Sequence, residues 1–386
     1  MALGVGADAT PVVSSCNGFG AAVYSHLVEG EENVIFSPLS AWASLAMAYA
    51  GARGGTAEAM ATALHVTPGA GDAHGQFGAL LSQLLAAGSG KGCKLEIADA
   101  VWLQRGAPVK TEFVQVVAGP YRGEIAEADF AGDPARAAAR VNEWVSLKTH
   151  GKVSRLLAAG DLDAQTRLVL ANAVYFKGQW ASRFPTGKTQ EEPFFLRGGR
   201  TETVPLMHQT GDFMYAESEG TQALVMPYRG GALAILVVLP PAPGPGQSRE
   251  PTELGAPDVG EWLGRLQPYE VDVTLPRFSI SSNFALKSAL VALGMGEAFD
   301  PGRADLSGID GLRDLFLQTV VQGAIIEVDE EGTTAAAGTA VGIGCGVEAP
   351  LPKAVFRADR PSAFAIVHTE SGLTLFMGRV ADPALH

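Results

Sequence analysis

The first 150 residues show mainly the apolar periodicity of helices. Four stretches carry it: 41–51, a segment starting near residue 56, 76–87 and 134–147. Residues 41–51 are almost wholly apolar, so this helix is predicted to be buried on every side. Ser37 and Pro38 supply its N-cap and first-turn proline, and Asp133 supplies the cap for 134–147.

Strand patterns dominate the rest of the chain. Apolar or alternating runs predict strands at 168–176, 233–239, 271–275, 324–328, 363–368 and 373–380. A four-residue turn at 369–372 joins the last two, and the stretch 241–257, rich in proline and glycine, is predicted to be a surface loop. The pattern therefore predicts the α+β class, with helices first and mostly antiparallel strands after them.

One segment, residues 332–346, fits neither pattern. It contains no charge, no aromatic side chain and no proline, and its residues are nearly all small. Taken alone it is typical of a flexible loop. In an extended conformation, however, six small or apolar side chains would share one face: Thr333, Ala335, Ala337, Thr339, Val341 and Ile343. Such a loop can become a strand if a sheet opens to receive it.

Composition excludes several classes of function. The chain has 386 residues and a formal net charge of −13, whereas binding to nucleic acid or to an anionic membrane requires clustered Lys and Arg. Cys16, Cys93 and Cys345 are scattered and odd in number, so neither a disulfide framework nor a metal site is predicted. No cofactor is expected either.

Motifs for catalysis and targeting are missing from the sequence. It has no Gly-x-Ser-x-Gly elbow, no His-Glu-x-x-His and no phosphate-binding loop, so the protein is not expected to be an enzyme. Residues 1–8 lack the basic start and apolar run of a signal peptide, and no apolar stretch approaches about 18 residues. A cytoplasmic location is therefore expected, with secretion possible if the precursor is longer.

Several motifs, in order along nearly the whole chain, resemble one family. They are NVIFSPLS (33–40), VNEWV (141–145), THGKV (149–153), LANAVYFKGQW (170–180), LPRF (275–278), LS (306–307) and FMGRV (376–380). Together they are similar to the serpins. The resemblance implies a single domain over 1–386, with helices packed on a large mixed central sheet, smaller antiparallel sheets and an exposed reactive-centre loop at about 330–352.

The resemblance also implies a function, the suicide inhibition of serine-type proteases. A target protease cleaves the loop and forms an acyl-enzyme, and the loop then inserts into the central sheet as a new strand. The residues similar to the hinge of inhibitory serpins are Glu330, Glu331, Gly332, Thr333, Thr334, Ala335, Ala336 and Ala337. The small size of the residues after Gly332 favours an inhibitor over a non-inhibitory serpin acting as a chaperone, carrier or storage protein, an alternative that stays open.

A polar cluster is expected beneath the point where the sheet parts. By resemblance it contains Ser37, Ser40 and Asn172, and Gln322 stands where a histidine is usual. Gln322 can donate and accept hydrogen bonds but does not titrate, so the cluster is expected to show no titration near neutral pH. Trp180 is similar to the tryptophan where insertion begins, although a purely structural role remains open.

The reactive bond is assigned by counting from the hinge. The family spacing places it at Gly346–Val347, with Cys345 and Glu348 as neighbouring candidates. Residues 332–352 contain no Arg, Lys or aromatic residue, so an elastase-like or subtilisin-like protease with a shallow primary pocket is the predicted target. The region 76–94, where some serpins bind a polyanion, contains only two positively charged residues, Lys91 and Lys94. No heparin-type cofactor is therefore predicted. The protein is also expected to be a monomer.

Overall fold

The computed structural model describes residues 10–28, 32–67, 72–88, 92–242, 258–332 and 350–385. The predicted surface loop at 241–257 therefore lies largely outside the described residues. Within these segments the chain forms helices packed on two β-sheets, which confirms the predicted α+β class. No helix in the described segments is long and apolar enough to cross a membrane.

The helices match the predicted stretches where the sequence carried its own start and stop signals. They are α1 (Pro11–Leu27), α2 (Pro38–Gly51), α3 (Gly54–Ala63), α4 (Ala73–Gly88), α5 (Thr111–Ala118), α6 (Pro134–Lys148), α7 (Val259–Arg265), α8 (Lys287–Ala292) and α9 (Ser307–Asp310). Both predicted caps are confirmed. The Ser37 hydroxyl accepts the Ser40 amide at 3.4 Å, and the Asp133 carboxylate accepts the Arg136 amide at 2.9 Å.

All six predicted strands are present, most of them longer than the sequence indicated. The strands are β1 (Val34–Phe36), β2 (Cys93–Gln104), β3 (Glu124–Ala128), β4 (Leu168–Gly178), β5 (Gln190–Phe195), β6 (Thr201–Ser218), β7 (Thr221–Pro227), β8 (Leu233–Leu239), β9 (Gln267–Pro276), β10 (Phe278–Ala285), β11 (Leu317–Val328), β12 (Lys353–Arg357), β13 (Ser362–His368) and β14 (Thr374–Val380). The elements outside the predicted stretches were not predicted, and the longest of them are α1, β2 and β6.

The strands form a nine-stranded and a five-stranded sheet, and both are mixed. The larger runs β1-β14-β13-β8-β7-β6-β9-β12, with β5 paired to β6. The smaller runs β10-β11-β4-β2-β3. Its central neighbours β4 and β11 are parallel, whereas β2 and β10 flank them in the antiparallel direction. We call the boundary between β4 and β11 the seam.

Helices cover the two faces of the five-stranded sheet differently. The first face packs on α2, which is buried along nearly its whole length in the main core. The opposite face carries Trp102, Val169, Ala171 and Val321, which pack against α6 in a second, smaller core. Near the C-terminal end of β4 this second face is only half-buried, at Tyr175 and Lys177. The far end of the seam is therefore the less covered part of the sheet.

Candidate functional site

Strand direction makes the seam a site that can accept another strand. The chain leaves β11 at Val328, so a segment that folds back beside β11 must run antiparallel to it. On one side of β11 such a strand would meet β10, to which it would be parallel. At the seam it would be antiparallel to both neighbours, because β4 and β11 run the same way. Insertion there would replace one parallel ladder by two antiparallel ones, the slightly more stable arrangement.

The turn after β11 already points the chain back toward the seam. The Asp329 amide donates to the Gly332 carbonyl at 2.9 Å, and the Gly332 amide donates to the Asp329 carbonyl at 3.2 Å. Gly332 also forms a bridge to Gln179, just beyond the end of β4. The Trp180 amide donates to the Glu331 carbonyl at 3.0 Å. The first hinge residues therefore lie against the C-terminal end of β4.

Gly332 occupies a position that no other residue can take without movement. Its φ of 118° lies in the region that favours glycine. A Cβ at this position would lie 2.3 Å from the Gly178 carbonyl oxygen and 2.4 Å from the Trp180 nitrogen. These are backbone atoms, so a rotamer change cannot relieve the contact. The docked turn therefore requires glycine both for its conformation and for its close approach.

Replacing Gly332 by alanine should release the turn from β4. Clash and strain together should lower the free energy of unfolding by on the order of 1–3 kcal/mol, measured by thermal or denaturant unfolding. Gly372→Ala is the matched control, since Gly372 has a φ of 70° but no atom within 4 Å of an added Cβ. Equal losses in the two variants would contradict a specific contact at Gly332.

Glu330 anchors the same turn from the other side. Its side chain is only 5% exposed and accepts hydrogen bonds from the Thr189 hydroxyl and from the Arg277 guanidinium, whose Nε lies 2.8 Å away. Burial raises the pKa of Glu330, but the hydrogen bonds from Arg277 and Thr189 outweigh it, and the net shift of the pKa is downward. Arg277 separates β9 from β10, so the pair ties the turn to the start of the neighbouring strand.

Trp180 closes the same end of the sheet from the core side. Its ring is 2% exposed and stacks on Tyr228, with centroids 4.8 Å apart and an interplanar angle of 7°. Its indole Nε1 donates to the Asp329 carbonyl at 2.8 Å. Trp180 therefore contacts the hinge turn and the buried aromatic core at once, which leaves both a structural and a functional role open.

The four residues of the predicted polar cluster lie together at the seam. Asn172 on β4 faces Gln322 on β11, and the Gln322 amide donates to the Asn172 side-chain oxygen at 3.0 Å. Gln322 also accepts the Ser37 amide at 2.9 Å and donates to the Ser37 carbonyl at 3.0 Å. The Asn172 amide donates to the Ser40 hydroxyl. All four residues are at most 1% exposed, so the seam is joined by buried, mutually satisfied polar groups.

A fifth member of the cluster, Asp99, was not anticipated. It lies on β2 directly opposite Asn172, is 4% exposed and accepts hydrogen bonds from Asn172 and from the Ser44 hydroxyl, both at 2.5 Å. Burial raises the pKa of Asp99 from 3.8 to about 6, although the hydrogen bonds from Ser44 and Asn172 oppose the shift. Asp99 is thus a titratable group of the cluster that was not predicted from the sequence.

The remaining predicted site residues cannot be placed. Thr333, Thr334, Ala335, Ala336 and Ala337 of the hinge lie outside the described residues. So do the reactive-bond candidates Cys345, Gly346, Val347 and Glu348. Within the part of the chain that is described, no group of three or more His, Cys, Asp or Glu side chains could hold a metal ion.

Comparison with known proteins gives a consistent result. A family model described as Serpin (serine protease inhibitor) matches residues 14–383. An uncharacterized serpin-like protein of Thermococcus kodakarensis is 40% identical over 97% of this chain and 86% of its own. Leukocyte elastase inhibitor A of Rattus norvegicus is 35% identical, covering 91% of this chain and 93% of the relative. The crystal structure of serpin-12 of Manduca sexta superposes with a TM-score of 0.82 at 27% identity, covering 96% and 99% of the two chains.

Proposed function

The chain belongs to the serpin family, and we propose that it inhibits serine-type proteases by inserting its cleaved loop at the seam. The observation that carries the proposal is the hinge turn, docked at the end of a parallel strand pair that can accept an antiparallel strand. We further propose that residues 1–386 act as one unit and that the protein is a monomeric inhibitor rather than an enzyme. Its action requires no heparin-type cofactor.

The proposed reaction begins as ordinary proteolysis. The serine hydroxyl of the protease attacks the Gly346 carbonyl, an ester bond forms, the amide bond to Val347 breaks, and the new amino terminus takes the proton. The freed segment from Gly332 onward then enters the seam before water can hydrolyse the ester. Small residues support fast entry, because a bulky or charged side chain would have to be buried on the way.

The C-terminal product should stay attached to the protein after cleavage. Residues beyond the loop form β12, β13 and β14, and β13 and β14 lie inside the nine-stranded sheet between β8 and β1. The fragment starting at Val347 would therefore separate only under denaturing conditions. A gel or mass measurement that reveals cleavage must unfold the protein first.

A protease with a shallow primary pocket is the proposed target, elastase-like or subtilisin-like. The absence of Arg, Lys and aromatic residues in 332–352 supports this, since larger or charged pockets would go unfilled. The relative from Rattus norvegicus is named as an inhibitor of leukocyte elastase, which agrees with this class of target.

The second candidate function is that of a non-inhibitory serpin acting as a chaperone, carrier or storage protein. Gln322 favours it, because its side-chain amide donates to Asn172 across the seam and helps to hold the seam closed. If this bond delays opening, the protease completes hydrolysis and leaves. The loop is then cut without trapping.

Incubation with pancreatic elastase and, separately, with subtilisin tests the proposal. We expect an SDS-resistant adduct of protease and inhibitor, and a C-terminal fragment whose mass begins at Val347. Clean cleavage near Gly346 without an adduct, from every protease tried, would favour the non-inhibitory function.

Two hinge variants make this experiment specific for insertion. In a period-two strand Ala335 belongs to the face predicted to be buried and Ala336 to the opposite face. Ala335→Arg should abolish the adduct and turn the protein into a substrate, whereas Ala336→Arg should retain at least part of the adduct. Equal behaviour of the two variants would show that the loop does not enter the sheet in this register.

A further inference from the structure

The three central strands of the five-stranded sheet carry a continuous polar row. Asp99, Asn172 and Gln322 occupy directly opposed positions on β2, β4 and β11, with Asn172 in the middle. Ser44 lies one helical turn after Ser40 on α2, so the two hydroxyls reach Asp99 and Asn172 respectively. Asn172 therefore has fixed partners on the β2 side and one partner, Gln322, across the seam.

Opening the seam breaks only one bond of this row. The bond from Gln322 to Asn172 crosses the seam and must be lost. Asn172 keeps its bonds to Asp99 and Ser40. Asp99 thus holds β4 to β2 while β4 separates from β11. We propose that Asp99 is a positioning residue for sheet opening, holding Asn172 on the β2 side and coupling the parting of the seam to the release of a proton. The function of this residue in loop insertion rests on the proposed inhibitory function.

No cationic side chain in the segments that the structure describes pairs with the carboxylate of Asp99 to compensate its burial. The groups that contact it, Ser44 and Asn172, are neutral. Among the described residues, the titratable groups on the elements packed beneath β2 near Asp99 are Cys16, Tyr49, Asp72, His74 and Tyr121. The Tyr121 hydroxyl lies 2.7 Å from His74 Nδ1, and burial lowers the pKa of His74 from 6.5. His74 is therefore the neighbouring group to test as another source of a pH effect.

The direction of the pH effect follows from the burial of the charge. Since the pKa of Asp99 is raised from 3.8 to about 6 in the closed sheet, protonation favours the closed state. That stabilisation is complete below pH 3.8 and is lost as the pH rises through about 6. If opening hydrates Asp99 and restores its ordinary pKa, the opening equilibrium should be at most about tenfold less favourable at pH 5.0 than at pH 7.5. The seam should therefore open most readily at neutral pH.

Hydrogen–deuterium exchange of the uncleaved protein tests this without any protease. Amides of 169–175 and 319–325 report on the seam, and those of β13 and β14 serve as the internal reference. After correction for intrinsic exchange, the seam amides of the wild type should exchange up to about tenfold more slowly at pH 5.0 than at pH 7.5. The reference amides should show no such change.

Three variants distinguish Asp99 from other possible causes of the pH dependence of exchange at the seam. In Asp99→Asn the pH dependence of the seam should disappear, and exchange at pH 7.5 should be as slow as in the wild type at pH 5.0. His74→Gln, the matched control, should keep the wild-type pH dependence. Ser44→Ala removes a hydrogen bond that lowers the pKa of Asp99, so the midpoint should move to higher pH, which keeps the test usable if Asp99→Asn does not fold.

The outcomes distinguish the two proposals. If the pH dependence persists in Asp99→Asn, is lost in His74→Gln, or extends equally to β13 and β14, the function assigned to Asp99 is wrong. If the exchange results are as expected but no protease forms a covalent adduct, the inhibitory function fails while the coupling of Asp99 to the seam stands.

Discussion

Cleavage of the loop at any bond between residues 339 and 348 should raise the melting temperature by about 10–15 °C. The inserted strand would exchange the single ladder of the seam for two antiparallel ladders. The net gain is about ten backbone hydrogen bonds, each contributing about 0.5–1.5 kcal/mol, or on the order of 10 kcal/mol in total. Differential scanning calorimetry of the intact and the cleaved protein measures the shift.

The controls for this shift separate insertion from cleavage itself. Cleaved Ala335→Arg should melt near the temperature of the intact protein, because an arginine on the buried face blocks entry. No rise in the wild type after complete cleavage would exclude insertion altogether. A rise without a covalent adduct would mean that insertion occurs but is slower than deacylation, as the non-inhibitory alternative requires.

Arg277→Ala should be the most destabilising single substitution at the hinge, costing on the order of 3–5 kcal/mol in the free energy of unfolding. The arginine is half-exposed, but its partner Glu330 is 5% exposed and would be left with only Thr189 as a side-chain partner. A buried carboxylate without its counterion is the costly outcome, rather than the loss of the ion pair itself.

The contribution of Glu330 to the pH dependence of stability should change sign in this variant. In the wild type the pKa of Glu330 is below 4.5, so its stabilisation is present above pH 4.5 and lost as the pH falls through the lower folded value. In Arg277→Ala, burial dominates and raises that pKa, so the loss of melting temperature relative to the wild type should become smaller as the pH falls from 7 toward 5. Melting temperatures across pH 4 to 8 measure both trends.

Two further variants show whether the loss is specific. Arg277→Ala combined with Glu330→Gln should recover most of the lost stability, because no buried charge remains. Arg265→Ala removes an exposed pair with Glu261, in which both side chains are about half-exposed, and should cost less than about 1 kcal/mol. A large loss in Arg265→Ala, or no recovery in the double variant, would contradict the explanation.

The helices and strands that could be predicted are those whose own residues contain the start signal and the apolar pattern of the element. Helix α2 has a serine cap, a first-turn proline and an apolar run, and strand β8 has seven consecutive apolar residues. Helix α1 has a regular apolar face but contains Gly18 and Gly20, which disfavour a helix. The structure explains Gly20, because a Cβ there would lie 2.5 Å from Cβ of Pro38 in α2. Close packing of the two helices therefore overrides local propensity.

Strand β2 was missed because its pattern changes along its length. Lys94 and Glu96 alternate with apolar residues where one face of the sheet is less covered, whereas residues 100–103 are buried on both faces. No single period describes such a strand. Asp99 falls at the transition between the two patterns, and its partners Ser44 and Asn172 are 55 and 73 residues away. Its burial therefore arises from tertiary contacts that no local pattern contains.

The pairing of the first strand with the last has a consequence for synthesis on the ribosome. Among the described strands, β1 pairs with β14 alone, with Val34 opposite Arg379. The chain emerges from its N-terminus, so β1 must wait for nearly the entire polypeptide before it finds its neighbour. During that interval β8 also lacks β13, and the growing chain exposes unpaired strand edges that favour aggregation. A nascent chain of this protein should therefore depend on chaperones until its last twenty or so residues are free to fold.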